Sequence, residues 1–222
     1  MGVTILQPFP VLENKTGPIT IDYLTKRLLA LGAVQTGGFL VDCETFHSMP
    51  PLGNSKLIHQ LHNSEHPTSV FSILDTGTKQ IPLVADSLFD LLILKMQPAY
   101  SSKKQTKIES KGPRFELCDF VIKLGSVTMS QTFKGILVEV EYRPCVIPAN
   151  CWNLIREFMQ GFMGANVPNQ IPSYFTAQSQ SPGVTHPKQN DVYQPIDTIQ
   201  QYLEHFSNYR KQTNAPVATS RT

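Results

Sequence analysis

The chain has 222 residues, of which 41% are hydrophobic and 9% aromatic. This length fits one large domain or two small ones, and this apolar content is enough to build a core, which excludes global disorder and fibrous folds. Nineteen lysines and arginines against seventeen aspartates and glutamates give a net charge of +2. That balance is too even to predict wholesale coating of nucleic acid or of an anionic membrane.

The sequence carries no signal for secretion or membrane insertion. Met1–Leu6 lacks the basic start and long apolar run of a signal peptide, and the longest apolar stretch, 88–96, is short and interrupted by Asp90 and Lys95. The four cysteines lack the close C-x2–4-C spacing of structural zinc sites. We therefore expect a soluble intracellular chain with reduced thiols and with no metal or other cofactor.

The first predicted elements are one helix and two strands. Apolar residues recur at helical spacing over 20–31, with Gly32 as a plausible C-cap. The period then changes to two, over 39–44 and again over 57–61. This alternation predicts strands, separated by a turn-rich loop that contains Pro50-Pro51 and Gly53-Asn54.

Two short apolar runs follow, 70–74 and 81–85, joined by a turn-forming segment. Their spacing predicts a hairpin. Asp86 can cap a helix that continues to Met96, although the same apolar residues could form a buried strand.

The segment from Lys107 to Tyr142 has the strongest strand signal in the chain. Its apolar runs are punctuated by Gly112-Pro113, Gly125-Ser126 and Lys134-Gly135, which predict turns. Sequential strands with short turns favour an antiparallel sheet that curls, and closure would remove its unpaired edges. The predicted fold class is therefore α+β, with a curled antiparallel sheet closing into a β-barrel with peripheral helices.

The carboxy-terminal part predicts two more helices separated by a polar segment. Asn150 is placed to cap a helix that runs to about Gly164, and apolar spacing predicts a last helix over 195–211. We expect a core of residues 1–164, a Pro/Gln/Ser-rich linker or loop over 165–194, and a carboxy-terminal helix and tail, 195–222, that pack back on the core.

Glu139 and Glu141 are the most suggestive pair for chemistry, because a strand places residues two apart on one face. Paired carboxylates can hold a divalent cation that neutralises phosphate, with Arg114, Lys123 or Lys134 gripping the rest of the substrate. A metal-dependent triphosphate hydrolase of the tunnel type is thus the alternative function. Such enzymes need a second Glu-x-Glu pair, which this chain lacks, so strand alternation with no further role also explains the pair.

Two other clusters have both a functional and a plain explanation. His59, His62 and His66 lie close together with Glu65 and resemble a metal-ligand set. Their spacing would converge only on a helix, whereas the flanking pattern is a strand, so polar histidines near a turn are the simpler explanation. The segment from Lys103 to Arg114 is the densest basic patch, which fits nucleic acid, an acidic protein partner, or a solvated edge. No nucleophile elbow, phosphate-binding Gly-rich loop or His-Glu-x-x-His motif occurs.

Several segments, in the same order and over nearly the whole chain, resemble one family. They are Met1–Thr4, Phe39–His47, His62–Pro67, Cys118–Met129, Val138–Tyr142 with Cys145-Val146, and Tyr209–Gln212. They are similar to the metazoan family of Mediator complex subunit 20. The similarity is weaker in 48–56 and 165–190.

This resemblance implies a non-enzymatic subunit of the head module of Mediator, a nuclear coactivator that relays regulatory signals to RNA polymerase II. It implies a β-barrel that pairs with the related barrel of Mediator subunit 18 and is tethered through a carboxy-terminal helix of subunit 8. Other head-module subunits are then neighbours, and polymerase is reached indirectly. The resemblance implies no catalytic, cofactor-binding or metal-ligating residue, no membrane partner and no specific nucleic acid.

Overall fold

The structure is a computed structural model that describes residues 2–11, 15–49, 56–96, 99–102, 107–178 and 187–213. The helices are α1 (Gly17–Ala30), α2 (Leu88–Lys95), α3 (Pro148–Met163), α4 (Ser173–Thr176) and α5 (Pro195–Thr213). The strands are β1 (Val3–Phe9), β2 (Val34–Ser48), β3 (Leu57–Asn63), β4 (Ser69–Asp75), β5 (Gln80–Asp86), β6 (Tyr100–Ser102), β7 (Ile108–Leu117), β8 (Phe120–Met129) and β9 (Thr132–Tyr142). The predicted loop around Pro50-Pro51 and the tail after Thr213 lie outside the described residues.

All described strands form one antiparallel sheet, which confirms the α+β class. The strands lie in the order β1-β9-β8-β7-β2-β3-β4-β5, and β6 pairs with the far end of β2. Among the described strands, none joins β5 back to β1, so the predicted closure into a barrel is wrong.

One face of the sheet is covered by α1 and α3 at the β1 end and by α2 at the β5 end. Leu24 and Leu28 of α1 and Trp152, Ile155 and Met159 of α3 pack on β1, β7, β8 and β9. The helical spacing of these residues places them on one side of each helix, so that a single stripe is buried. At the opposite end of the same face, α2 packs with residues of β2 and β3.

The other face, which we call the α5 face, is covered by the last helix. Residues of α5 form one buried cluster with residues of β1, β2, β3, β4, β7, β8 and β9. The members from α5 are Ile199, Tyr202, Leu203, Phe206 and Tyr209. These residues recur at spacings of three or four positions, as predicted for 195–211, and they are buried from Ile199 to Tyr209.

The position of α5 explains why the sheet stays open. The Gln201 side chain accepts a hydrogen bond from Leu6 N (3.1 Å) and donates one to Thr4 O (3.0 Å), so it occupies backbone groups on the free edge of β1. These are the groups that a closing strand would use. A helix is also about 10–12 Å across, whereas the interior of a small barrel is filled by side chains alone.

Three local predictions differ from the structure. β1 was not expected as a strand, and its residues Val3–Leu6 are buried on both faces, so they show no alternation. Gly112, Gly125 and Gly135 were predicted in turns but lie inside β7, β8 and β9, and the turn between β7 and β8 contains Cys118, whose φ is 49°. α3 begins at Pro148 instead of at Asn150, which suits a proline at the first turn.

Candidate functional site

Glu139 and Glu141 both lie on the α5 face of β9, as the alternation predicted. Glu139 is buried, with 3% of its surface exposed. One carboxylate oxygen is 2.7 Å from Lys123 Nζ, and the other accepts a hydrogen bond from the hydroxyl of Tyr202 on α5. Because both oxygens have buried partners, Glu139 is committed to holding β8, β9 and α5 together.

Lys123 connects Glu139 to a second carboxylate. Its ammonium group is 2.6 Å from Glu65, which follows β3 in the chain. Burial alone would lower the pKa of Lys123, but the charges and hydrogen bonds of Glu139 and Glu65 outweigh it and raise the pKa. Burial would raise the pKa of Glu65, yet Lys123 and Arg114 hold it below its usual value. The lysine thus stays charged between two carboxylates.

Glu141 lies closer to solvent than Glu139 and has a different partner. Its Oε1 accepts a hydrogen bond from the backbone N–H of Gly2 at 2.7 Å. The two glutamates predicted as a pair therefore share a face but bind different groups. Among the described residues, no group of three His, Cys, Asp or Glu side chains is placed to hold a metal ion.

A polar cleft of about 570 Å³ opens above these residues. It is lined by Thr36, Asn63, Glu65, His66, Arg114, Lys123, Glu139, Glu141, Arg143 and Thr198. Arg114 is 2.9 Å from Glu65 and 2.8 Å from Glu116, and Arg143 is 2.8 Å from Glu116. The charges of the cleft are thus largely paired with one another, which leaves it without the excess of either sign that would attract an ionic ligand.

The three histidines predicted as a possible metal set do not converge. His59 lies on the α5 face and hydrogen-bonds Thr45 at 3.0 Å, while His62 lies on the opposite face. Burial lowers the pKa of His59 to about 4, with a contribution from the charge of Arg210. His66 contacts the Phe71 ring edge-on in the polar cleft. His59 and His62 are three residues apart, which places them on opposite faces of a strand, whereas on a helix they would share one face.

The described part of the basic patch is paired with acidic side chains. Lys107 is 2.9 Å from Asp42, and Lys111 is 3.5 Å from Glu109. Lys103 and Lys104 lie outside the described residues. Where the structure describes it, the patch therefore presents ion pairs instead of the unpaired cations that contact phosphates.

The sequence did not predict an exposed apolar surface on β5 and α2. We define the β5–α2 surface by its large apolar side chains that are 45–66% exposed and lie on α2 or on the face of β5 that carries α2, namely Ile81, Leu83, Leu88, Leu91, Leu92 and Leu94. They fall within 14 consecutive positions and form the largest such group among the described residues; the next, Leu29, Leu31 and Val34, has three members. A helix that is apolar on all sides is normally buried. A contiguous surface of this kind marks a contact with another molecule.

α2 is held in place although most of it is exposed. Ile93 is buried and packs with Phe46 and Ile58 of the sheet. Asp90 of α2 binds His62 Nε2 at 3.2 Å and accepts a hydrogen bond from the Gln60 side chain. The outward leucines are therefore presented by a fixed helix, which reduces the entropy that a partner must offset on binding.

The one sequence signal for this surface was the apolar run itself. The run 81–96 was predicted as a strand and a helix, and both are confirmed. Their exposure could not be inferred, because an apolar run in a chain without a membrane signal is expected to be buried. Among the described residues, no helix is both long and apolar enough to span a bilayer.

Comparison with known proteins gives a consistent result across the chain. Residues 1–207 match a family model described as the TATA-binding related factor of subunit 20 of the Mediator complex. The chain is 70% identical over 218 residues to Mediator of RNA polymerase II transcription subunit 20 of Aedes aegypti, covering 98% of this chain and 99% of that protein. The Homo sapiens protein of the same name is 42% identical, with the same two coverages.

Solved structures resemble the chain more distantly. The Schizosaccharomyces pombe Mediator head module contains a chain with a TM-score of 0.36 and 9% identity, covering 72% of this chain and 94% of that one. A Hippeastrum protein described as a putative adenylyl cyclase with a dominant triphosphatase activity has a TM-score of 0.43 and 8% identity, covering 72% and 87%.

Proposed function

The chain belongs to the family of Mediator subunit 20, and on that premise we propose that it is a non-enzymatic interaction subunit of the Mediator head module. In this role it supports regulated transcription by RNA polymerase II in the nucleus, as a coactivator component that reaches polymerase through other subunits. The single observation that carries the proposal beyond family membership is the β5–α2 surface.

We propose that the chain pairs with Mediator subunit 18, a related sheet protein, and is held in the head module through the carboxy-terminal helix of subunit 8. Six large apolar side chains about half exposed correspond to roughly 5–9 kcal/mol of transfer free energy if a partner covers them, at about 1.5–3 kcal/mol for each full burial. Micromolar binding corresponds to about 8 kcal/mol. Because association itself costs at least about 4 kcal/mol, this surface supplies a large part of the driving force for pairing, and further contacts must supply the rest.

The contacts of Glu139 and Lys123, which the triphosphate hydrolase alternative would use for catalysis, support a structural role for both side chains. Glu139 and Lys123 are 2.7 Å apart, 3% and 2% exposed, and tie the sheet to α5. A carboxylate that must bind a divalent cation needs free oxygens facing the substrate, whereas both oxygens of Glu139 already have buried partners. The polar cleft thus supports stabilisation of the fold rather than turnover.

The proposed organisation of the chain follows from the same contacts. We propose that residues 1–164 and 195–222 act as one unit, and that the loop 165–194 packs on it, since Val167, Phe175 and Tyr193 are buried in the core with α1 and α3. The packing of α5 on seven strands supports this division, because removal of α5 would expose the entire α5 face.

Co-expression with subunit 18 of the same species tests the proposal. The two chains are expected to elute together as a 1:1 complex in size-exclusion chromatography, while the chain alone elutes as a folded monomer. A chain that folds normally but never co-elutes with subunit 18 would remove the pairing. Release of phosphate from a triphosphate in the presence of Mg²⁺ or Mn²⁺, lost in Glu141→Gln, would instead establish an enzyme.

A further inference from the structure

We infer that the β5–α2 surface receives an amphipathic α-helix of a partner protein, packed by side chains, and not an added β-strand. This inference rests on the proposed function, since it names how and where the head-module contact is made. Three features of the described residues support a helix as the occupant: the free edge of β5, the stripe on α2, and the way in which the opposite edge of the sheet is covered.

The free edge of β5 is unsuited to strand addition. Pro82 lies in the middle of β5 opposite Ile73 of β4. Because proline has no N–H, this pair cannot exchange both ladder hydrogen bonds, so the proline nitrogen faces the free edge. An added strand would lose a hydrogen bond at the centre of its ladder. Proline on an edge strand is a known device against strand addition.

The leucines of α2 form a stripe suited to helix packing. Leu88, Leu91 and Leu92 are spaced at i, i+3 and i+4, and each is 49–66% exposed. Side chains at this spacing form the ridges that fit into the grooves of a second helix. The buried Ile93 and the hydrogen bonds of Asp90 hold α2 against the sheet, so the stripe faces away from it.

Strand β5 extends the same surface beside α2. Ile81 pairs with Leu74, which packs in the α2 cluster, so Ile81 and Leu83 project on the face of the sheet that carries α2. α2 also contacts β5. Ile81 and Leu83 therefore extend the exposed apolar area beside α2, on the same side of the sheet as the leucine stripe.

The chain already covers its other sheet edge with a helix. Gln201 of α5 occupies backbone groups of β1, the opposite edge strand. Among the described residues, no element covers the β5 edge and its apolar face in the same way. A partner helix packed on the leucine stripe would cover the outward side of α2, and it needs an apolar stripe of about two turns to match the eight residues of α2.

The test uses the full-length chain co-expressed with the head-module subunits of its own species. The triple variant Leu88→Glu/Leu91→Glu/Leu92→Glu is expected to reduce incorporation at least about tenfold, because it places charges at the centre of the interface. The matched control is Ile19→Glu/Leu29→Glu on α1, whose side chains are 49% and 50% exposed. The control is expected to incorporate within about twofold of the parent chain.

A second variant separates helix packing from strand addition. Pro82→Thr restores an N–H at the free edge of β5 and leaves the leucine stripe intact. Incorporation is expected to change less than about twofold, and a gain of about tenfold would show strand addition and overturn the inference.

The remaining outcomes also decide between the two proposals. If the parent chain assembles and the triple variant assembles equally well, the inference is wrong while the proposed function stands. If the parent chain never assembles, both are wrong. If the free chain forms a dimer in sedimentation that the triple variant abolishes, the occupant is a second copy and the inference is overturned.

Discussion

Replacing Lys123 by methionine is expected to be among the most destabilising single changes in the chain. Lys123 and Glu139 are 2% and 3% exposed, and the lysine also pairs with Glu65. Removing one partner of a buried ion pair typically costs about 3–5 kcal/mol, because it leaves the other charge buried and unpaired. With a slope of roughly 2–3 kcal/mol per molar urea for a chain of this size, the unfolding midpoint should fall by about 1–2 M.

The assay is urea unfolding followed by far-ultraviolet circular dichroism and by fluorescence of Trp152, the single tryptophan of the chain. Coincident transitions by the two probes are required before a free energy is assigned. Trp152 lies on α3, across the sheet from the substituted lysine, so its signal reports unfolding and not the local change.

The double variant Lys123→Met/Glu139→Gln provides the control for charge. Glutamine keeps an acceptor for the Tyr202 hydroxyl but carries no charge, so adding it to Lys123→Met should recover about 1.5 kcal/mol or more. Two results would refute the reasoning: a cost of less than about 1 kcal/mol for Lys123→Met alone, or simple additivity of the two substitutions.

Two further predictions concern pH and glycine. A hydrogen bond to Asp42 raises the pKa of His62 to about 8 against the opposing effect of burial. Since the folded pKa exceeds the unfolded value of 6.5, this stabilisation is complete below about pH 6.5 and is lost as pH rises through about 8. Because the side chain is 43% exposed, it amounts to ~1 kcal/mol. The difference between the unfolding free energies of the parent and of His62→Gln should fall by that amount between about pH 6 and about pH 9, and a difference that does not change with pH would contradict the prediction. A Cβ on Gly112 would collide with the backbone carbonyl of Leu124, so Gly112→Ala should cost about 1–3 kcal/mol and lower the thermal unfolding midpoint by several degrees. Gly161 lies on α3 with open space around it, so Gly161→Ala should raise the midpoint slightly. Equal midpoints for the two variants would contradict this prediction.

The sequence predicted best those elements that bury one side only. α1 and α5 appear close to their predicted bounds, because each buries a single stripe and leaves the other side to solvent. The opposite case is β1, whose residues Val3–Leu6 are buried on both faces. Without alternation, a short apolar segment does not reveal its period.

The turns were predicted less well, because glycine occurs both in turns and inside strands where neighbouring backbones approach closely. Gly112 and Gly125 were expected to mark turns, but both lie in the sheet, where a Cβ on either would meet neighbouring backbone atoms. The turns that follow β7 and β8 instead use residues with positive φ that are not glycine, namely Cys118, Ser130 and Gln131. Sequence alone does not distinguish close approach of strands from a turn.

The sequence predicted which face of the sheet carries Glu139 and Glu141, but not which groups these side chains bind. Alternation correctly placed Glu139 and Glu141 on one face, yet their partners come from distant parts of the chain, Tyr202 and Gly2. Closure of the sheet failed as a prediction for the same reason, because it depended on where α5 packs. Such contacts between distant segments leave no local pattern.

The last helix has a consequence for the synthesis of the protein. α5 begins at Pro195, after all of the described strands have been synthesised, yet it supplies the buried partners of one whole face of the sheet and of the β1 edge. A nascent chain that still lacks this helix contains the described strands but exposes the apolar α5 face of the sheet to solvent. Chaperones bind such states and proteases degrade them. Premature stop codons as late as residue 194 should therefore abolish the accumulation of the protein in cells, even though nearly nine-tenths of the polypeptide would have been translated.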